Sequence, residues 1–118
     1  MELEDLTIRQ INKIKTMFGE STSPHIGKKV IIRTYSAGVH YGTLKSKDGG
    51  ECELTEAIRI WSWSGACSLS QLAMEGTKNP SDCKFAIPVE SIILQWIEII
   101  PCTKEASKSI EGVPAWKK

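Results

Sequence analysis

Arg59, Trp61 and Trp63 alternate along the segment RIWSW. In an extended strand alternate residues share a face, so a guanidinium and two indoles would lie side by side. That set suits a flat anionic ligand. Indoles stack on rings, at about 1–3 kcal/mol per base, and a guanidinium gives charge-assisted hydrogen bonds to phosphate. Ile58 and Ile60 would then face the core. The competing reading covers the indoles with a helix or a neighbouring subunit, where two tryptophans serve equally well. A second group surrounds the turn Tyr35-Ser36-Ala37-Gly38. Arg33, Tyr35, His40 and Tyr41 flank it, and turn amides can form an anion-binding concavity. The candidate ligand-binding residues are therefore Arg33, Tyr35, His40, Tyr41, Arg59, Trp61 and Trp63.

Catalysis is not indicated. The chain has two histidines and lacks a nucleophile elbow, a zincin motif or a phosphate loop. No catalytic residue and no cofactor are assigned. Cys52, Cys67, Cys83 and Cys102 are 15, 16 and 19 residues apart, without a Cys-x-x-Cys pair. That spacing does not describe a zinc site, so no metal ligand is assigned. The cysteines read as small hydrophobes in a reducing compartment.

Charge narrows the partners. Fifteen basic and 14 acidic residues leave a net +1, which argues against a long nucleic-acid track and favours a compact anionic ligand. No apolar run is long enough for a bilayer, and MELEDLTIRQ does not read as a secretory signal. The expected location is cytoplasmic.

The elements that position these residues follow from periodicity. Ile8, Ile11, Ile14 and Phe18 predict an amphipathic helix over 4–19, followed by a linker over 20–28. Strands are predicted at 29–35, 39–46 and 51–63, the last bent near Thr55-Glu56-Ala57. Asp48-Gly49-Gly50 marks a hairpin, and Gly42 in mid-strand marks a bulge. Ser68 and Gln71 form a capping box before a short helix at 69–75, ended by Gly76. Further strands are predicted at 84–89 and 92–100, then a helical turn at 104–111 capped by Thr103. The strand containing Trp96 is apolar on both faces, which predicts double-sided burial and a homo-oligomer. The fold class is mainly β with flanking helices (α+β): a small five-stranded SH3-like or Sm-like β-barrel with an N-terminal helix. Residues 1–28 would be the helix and linker, 29–103 the barrel with an insertion at 68–76, and 104–118 the last turn and tail.

The motifs RTYSAGVHYGTLKS, EAIRIWSWSGA, SLSQLAMEGT, CKFAIPVESIIL and IEIIPCT together resemble a family of small proteins of unknown function from tailed bacteriophages and prophages. The resemblance covers about residues 29–110. It implies a phage product acting in the cytoplasm of an infected bacterial host, and it supplies no catalytic residues. The combined expectation is a non-enzymatic phage accessory protein. As an oligomer it would sequester a small anionic ligand, such as a nucleotide-derived immune signal of the host. The alternatives are a phage protein-interaction or virion component, with a host protein as partner, and an Sm-like ring on RNA or single-stranded DNA.

Overall fold

The computed structural model describes residues 25–117. The helix expected over 4–19 lies outside these residues. Among the described residues the fold is mainly β, with five antiparallel strands and two short helices. The strands are β1 (Lys29–Thr34), β2 (Val39–Asp48), β3 (Glu51–Ser62), β4 (Lys84–Phe85) and β5 (Val89–Pro101). The helices are α1 (Leu69–Glu75) and α2 (Lys104–Glu111). β1 pairs with both β2 and β5, and β3 pairs with the same two strands. The pairings thus run in a ring, with β4 added to β3.

The β-branched run in β1 serves two cores at once. Val30 and Ile32 join Leu44, Cys52, Leu54, Ala57 and Leu94 in one buried cluster. Ile31, between them, joins Tyr41, Ile60, Leu72, Phe85 and Ile110 in the other. The first cluster ties the four ringed strands together; the second seats α1 and α2 on the sheet. Each fully buried Ile or Leu contributes about 1.5–3 kcal/mol through burial.

Gly42 marks a close approach, as its mid-strand position predicts. A Cβ there would lie 2.9 Å from the Thr55 carbonyl oxygen and 3.2 Å from Ala57 Cα. Opposite it the register jumps from Tyr41↔Ile58 to Thr43↔Thr55, and Glu56 takes a φ of 50°. This bulge is the bend expected in strand three.

Both helix starts are capped by the predicted hydroxyls. The Gln71 amide donates to Ser68 Oγ at 3.1 Å. Gln71 Oε1 accepts from the Cys67 amide, one residue further back than a capping box requires. The Ala106 amide donates to Thr103 Oγ1, whose hydroxyl donates to the Met74 carbonyl at 2.7 Å and links the two helices.

Two expectations need correction. β4 is two residues long, where six were predicted, because Pro88 has no N–H for a ladder. β5 in turn starts at Val89. Within the protomer β5 is covered on one face. A bulge beside Ile97 changes the phase, so Ile92, Leu94, Trp96 and Ile99 face the first cluster while Ile93 and Ile97 remain 66% and 41% exposed.

Candidate ligand-binding site

His40 and Arg59 are directly opposed in the β2–β3 ladder. Both reach one carbonyl. His40 Nε2 lies 2.9 Å from Ala37 O, and Arg59 Nη1 donates to the same oxygen at 3.2 Å. A carbonyl only accepts, so Nε2 must carry the hydrogen. Nδ1 is then a bare lone pair, fully buried and without a hydrogen-bond partner among the described residues. Burial lowers the His40 pKa, the Ala37 bond partly opposes this, and the Arg59 charge lowers it further. The imidazole is therefore neutral at pH 7.

These two residues line a cavity of about 210 Å3, closed by Ala57, Ala86, Ile87, Val89 and Ile92. Its walls are mostly apolar, Arg59 is the charged residue among them, and the His40 side chain behind them is wholly buried. Among the described residues no carboxylate lies within 4 Å of Arg59, whereas Arg33 pairs with Glu98 at 2.9 Å. Trp61, two residues further along β3, is 61% exposed. It meets Trp116 edge to face, with centroids 6.5 Å apart, and Lys84 Nζ lies 5.3 Å from the Trp116 ring.

The seven candidates do not converge on one place. Arg59 and His40 border this cavity, and Trp61 is not among its walls. Trp63 does not share their face: it packs into the helix-covered cluster with Ile58 and Ile60. The β3 ladder shifts register between Ile60 and Ser62, which breaks the two-residue alternation. Tyr41 is buried on the opposite side of β2 from His40. Tyr35 is 91% exposed and borders a separate cleft of about 200 Å3 with Ser36, Ala37, Ile93 and Gln95. Arg33 is engaged by Glu98. At the turn the Ala37 amide is engaged, donating to Thr34 Oγ1 at 2.8 Å. His40, expected as a ligand contact, is wholly buried. Lys84, Trp116 and the 86–89 wall were not anticipated. The signal for Trp116 was a tryptophan in a tail, VPAW, able to bridge beside Phe85; the bridge is Phe85↔Ala115.

A second polar constellation lies around Tyr41. Its hydroxyl donates to Glu111 Oε2 at 2.6 Å, and Lys29 Nζ lies 3.2 Å from the same oxygen and 3.6 Å from Glu56. These side chains, with Ile58 and Pro88, border a cleft of about 250 Å3. One lysine faces two carboxylates, which leaves a net negative charge, and the Tyr41–Glu111–Lys29 contacts tie α2 to the sheet. The Tyr41 bond and Lys29 lower the Glu111 pKa, against partial burial, and burial with the Glu111 bond raises that of Tyr41.

These shifts predict acid lability. A buried imidazole with lowered pKa stabilises the fold above its ordinary value of 6.5, and that stability is lost as the pH falls towards its folded pKa. Glu111 adds stability present above its ordinary value of 4.5 and lost as the pH falls through its lower folded value. Urea midpoints should hold steady between pH 8 and 7, then fall in two stages. A flat profile from pH 7 to 5 would contradict the assignment of a neutral buried His40.

The cysteines are all free. Burial pushes Cys52 up to about 11 and Cys102 up to about 12, so both are inert thiols at neutral pH. Among the described residues no group of three or more His, Cys, Asp or Glu side chains could hold a metal ion. No described helix is long and apolar enough to cross a membrane.

No curated protein and no solved structure matches the chain. A family model described as a domain of unknown function (DUF6948) matches residues 27–110, which include every strand, both Ala37 partners and the cavity wall. The chain therefore belongs to the DUF6948 family.

Proposed function

We propose that this protein is a non-enzymatic binding module for a small, flat, anionic ligand of nucleotide type. The observation that carries the reading is Arg59. It is a guanidinium free of carboxylates among the described residues, at the mouth of an apolar cavity that also holds a neutral histidine. Apolar walls suit a ring, and an unpaired guanidinium suits an anion. The exposed Trp61 and Trp116 rings, with Lys84 beside them, extend the same surface for the rest of the ligand.

The finer reading is a small SH3-like barrel, closed by the ring of strand pairings and assembled into a homo-oligomer through the exposed Ile93 and Ile97. With the bacteriophage resemblance, the role that fits is sequestration of a nucleotide-derived host signal in the bacterial cytoplasm. Sequestration requires affinity and no catalytic group.

Thermal melting against a panel of mononucleotides and cyclic nucleotides tests this. A ligand at 100 times its Kd adds about 2.7 kcal/mol of stability and a clear rise in Tm. A panel without any shift would sink the reading. Trp61→Ala should leave the ligand-free Tm within about 2 °C, since the ring is mostly exposed, and should reduce the ligand-induced shift. A large loss of ligand-free stability would instead assign Trp61 a structural role.

A second reading has its own observation. Trp61, Trp116, Ile87 and Val89 are all large and at least 45% exposed. Such residues also form hot spots in protein interfaces. A host or phage protein would then occupy the surface, and Trp61→Ala would abolish its capture without any nucleotide shift in the parent.

A further inference from the structure

β5 is paired along both edges, but by different halves of the strand. Residues 89–95 pair with β3, and residues 96–101 pair with β1. At Thr34 the chain turns away, its amide donating to the Gly38 carbonyl. Among the described residues the β1-side edge of β5 is therefore open over residues 91–95. The phase of the ladder shows which groups that edge presents. The Trp96 amide donates to Gly50 on the β3 side, in the register that continues through Cys52↔Leu94 and Leu54↔Ile92. Backbone groups alternate in direction along an antiparallel strand, so those of Ser91, Ile93 and Gln95 point to the open edge. Among the described residues none of the three is bonded there. Residues 89–97 also lack the proline, lysine or arginine that guards an exposed edge. Ile93 is 66% exposed, and Tyr35 and Gln95 border a cleft with it.

We propose that this edge pairs antiparallel with the same edge of a second copy, about a two-fold axis at Ile93. The proposal rests on the homo-oligomer reading above and deepens it by naming the strand and the register. The edge is complementary to itself. With the axis at Ile93, Ser91 lies opposite Gln95 and Ile93 opposite its copy, so outward N–H and C=O groups meet one another. A shift by one residue would set them against positions whose groups point to β3. The two Ile93 side chains then cover one another on the outer face. Charge agrees with the same register. Glu90 of each copy arrives opposite Trp96 of the other, where β1 closes the edge through Thr34↔Trp96 and Arg33↔Glu98. Glu90 makes no ion pair among the described residues, and Arg33 commits Nε to Glu98. The Nη donors of Arg33 are then in place for a second carboxylate. Within one chain the two cannot meet, because Glu90 lies near the start of β5 and Arg33 beside its far half.

Analytical ultracentrifugation of the intact chain should show a monomer–dimer equilibrium. Ile93→Lys sets like charges against one another at the axis and should raise the dimer dissociation constant about tenfold or more. Glu90→Lys should raise it about threefold. Hydrogen exchange followed by NMR reads the edge directly and needs no variant. The Ile93 and Gln95 amides should be protected in concentrated protein and exchange freely on dilution. The Leu94 amide, on the β3 side, should stay protected throughout. Protection of Ile93 and Gln95 in the monomer would overturn the proposal and assign the edge to another part of the same chain. A dimer that Ile93→Lys leaves intact would overturn the β5 pairing and keep the homo-oligomer reading. A chain that stays monomeric at the highest concentration reached would overturn both.

Discussion

Replacing Gly76 with alanine should destabilise the protein by about 4 kcal/mol, combining backbone strain and overpacking. Gly76 ends α1 with φ 78° and ψ −159°, a region of backbone space that belongs essentially to glycine. Its amide donates to the Leu72 carbonyl and closes the helix. A Cβ there would fall on Ser109 of α2, against both Cβ and Oγ. Ser109 cannot simply turn away, because its Oγ accepts from the Thr77 amide at 2.9 Å and donates to the Thr77 carbonyl at 3.2 Å. Strain at one helix end thus becomes separation of two helices, and Leu72 and Ile110 lose their shared cluster. The expected fall in Tm is roughly 15 °C or more, by circular dichroism. Gly50→Ala is the control. Gly50 has no neighbour within 4 Å of its Cβ direction and no positive φ, so its Tm should move by about 2 °C at most. If the two variants melt together, the α1–α2 contact is not the constraint described here.

Much of this frame is legible in the sequence, and the reason is local. β1 reads correctly because Val30, Ile31 and Ile32 are all buried, and a β-branched run in a strand is what two-sided burial looks like. Gly42 reads as a bulge because a strand interior seldom tolerates glycine without a close approach. Ser68 and Thr103 read as caps because a hydroxyl and the amide three residues on are fixed by the chain itself.

The site was less legible, because its parts meet across long separations. Tyr41 and His40 are neighbours, yet α2, about 70 residues on, decides that Tyr41 is buried and bonded to Glu111. Trp63 followed the alternation of β3 only up to a register shift that β4 imposes. The cavity wall comes from 86–88, a stretch that reads as strand but runs as a loop into Val89 at the start of β5, with the Ala86 amide donating to the Arg59 carbonyl. Pattern identified Arg59, Trp61 and His40 by residue type. It could not show that His40 would lie buried with a single occupied nitrogen.

Arg59→Ala should remove ligand recognition while leaving a folded protein. The guanidinium is only partly buried and makes one neutral bond, to Ala37, whose carbonyl still accepts from His40. The loss in stability should therefore be about 1 kcal/mol. The loss in affinity should be far larger. Truncating one side of a desolvated charge-assisted pair costs about 2–5 kcal/mol, or roughly 30-fold and upward in Kd. Arg59→Lys should fall between the two, keeping the charge without the planar fork. A second readout needs no ligand. Arg59 is one of the causes that hold the His40 pKa down, so in Arg59→Ala the imidazole should titrate at higher pH than in the parent, as followed by NMR. An unmoved His40 titration would mean that the two side chains do not face one another as described. A moved titration with nucleotide binding intact would separate the matter cleanly: the electrostatic pairing would be real, and the ligand would be held elsewhere, with the Trp61–Trp116 surface as the next place to truncate.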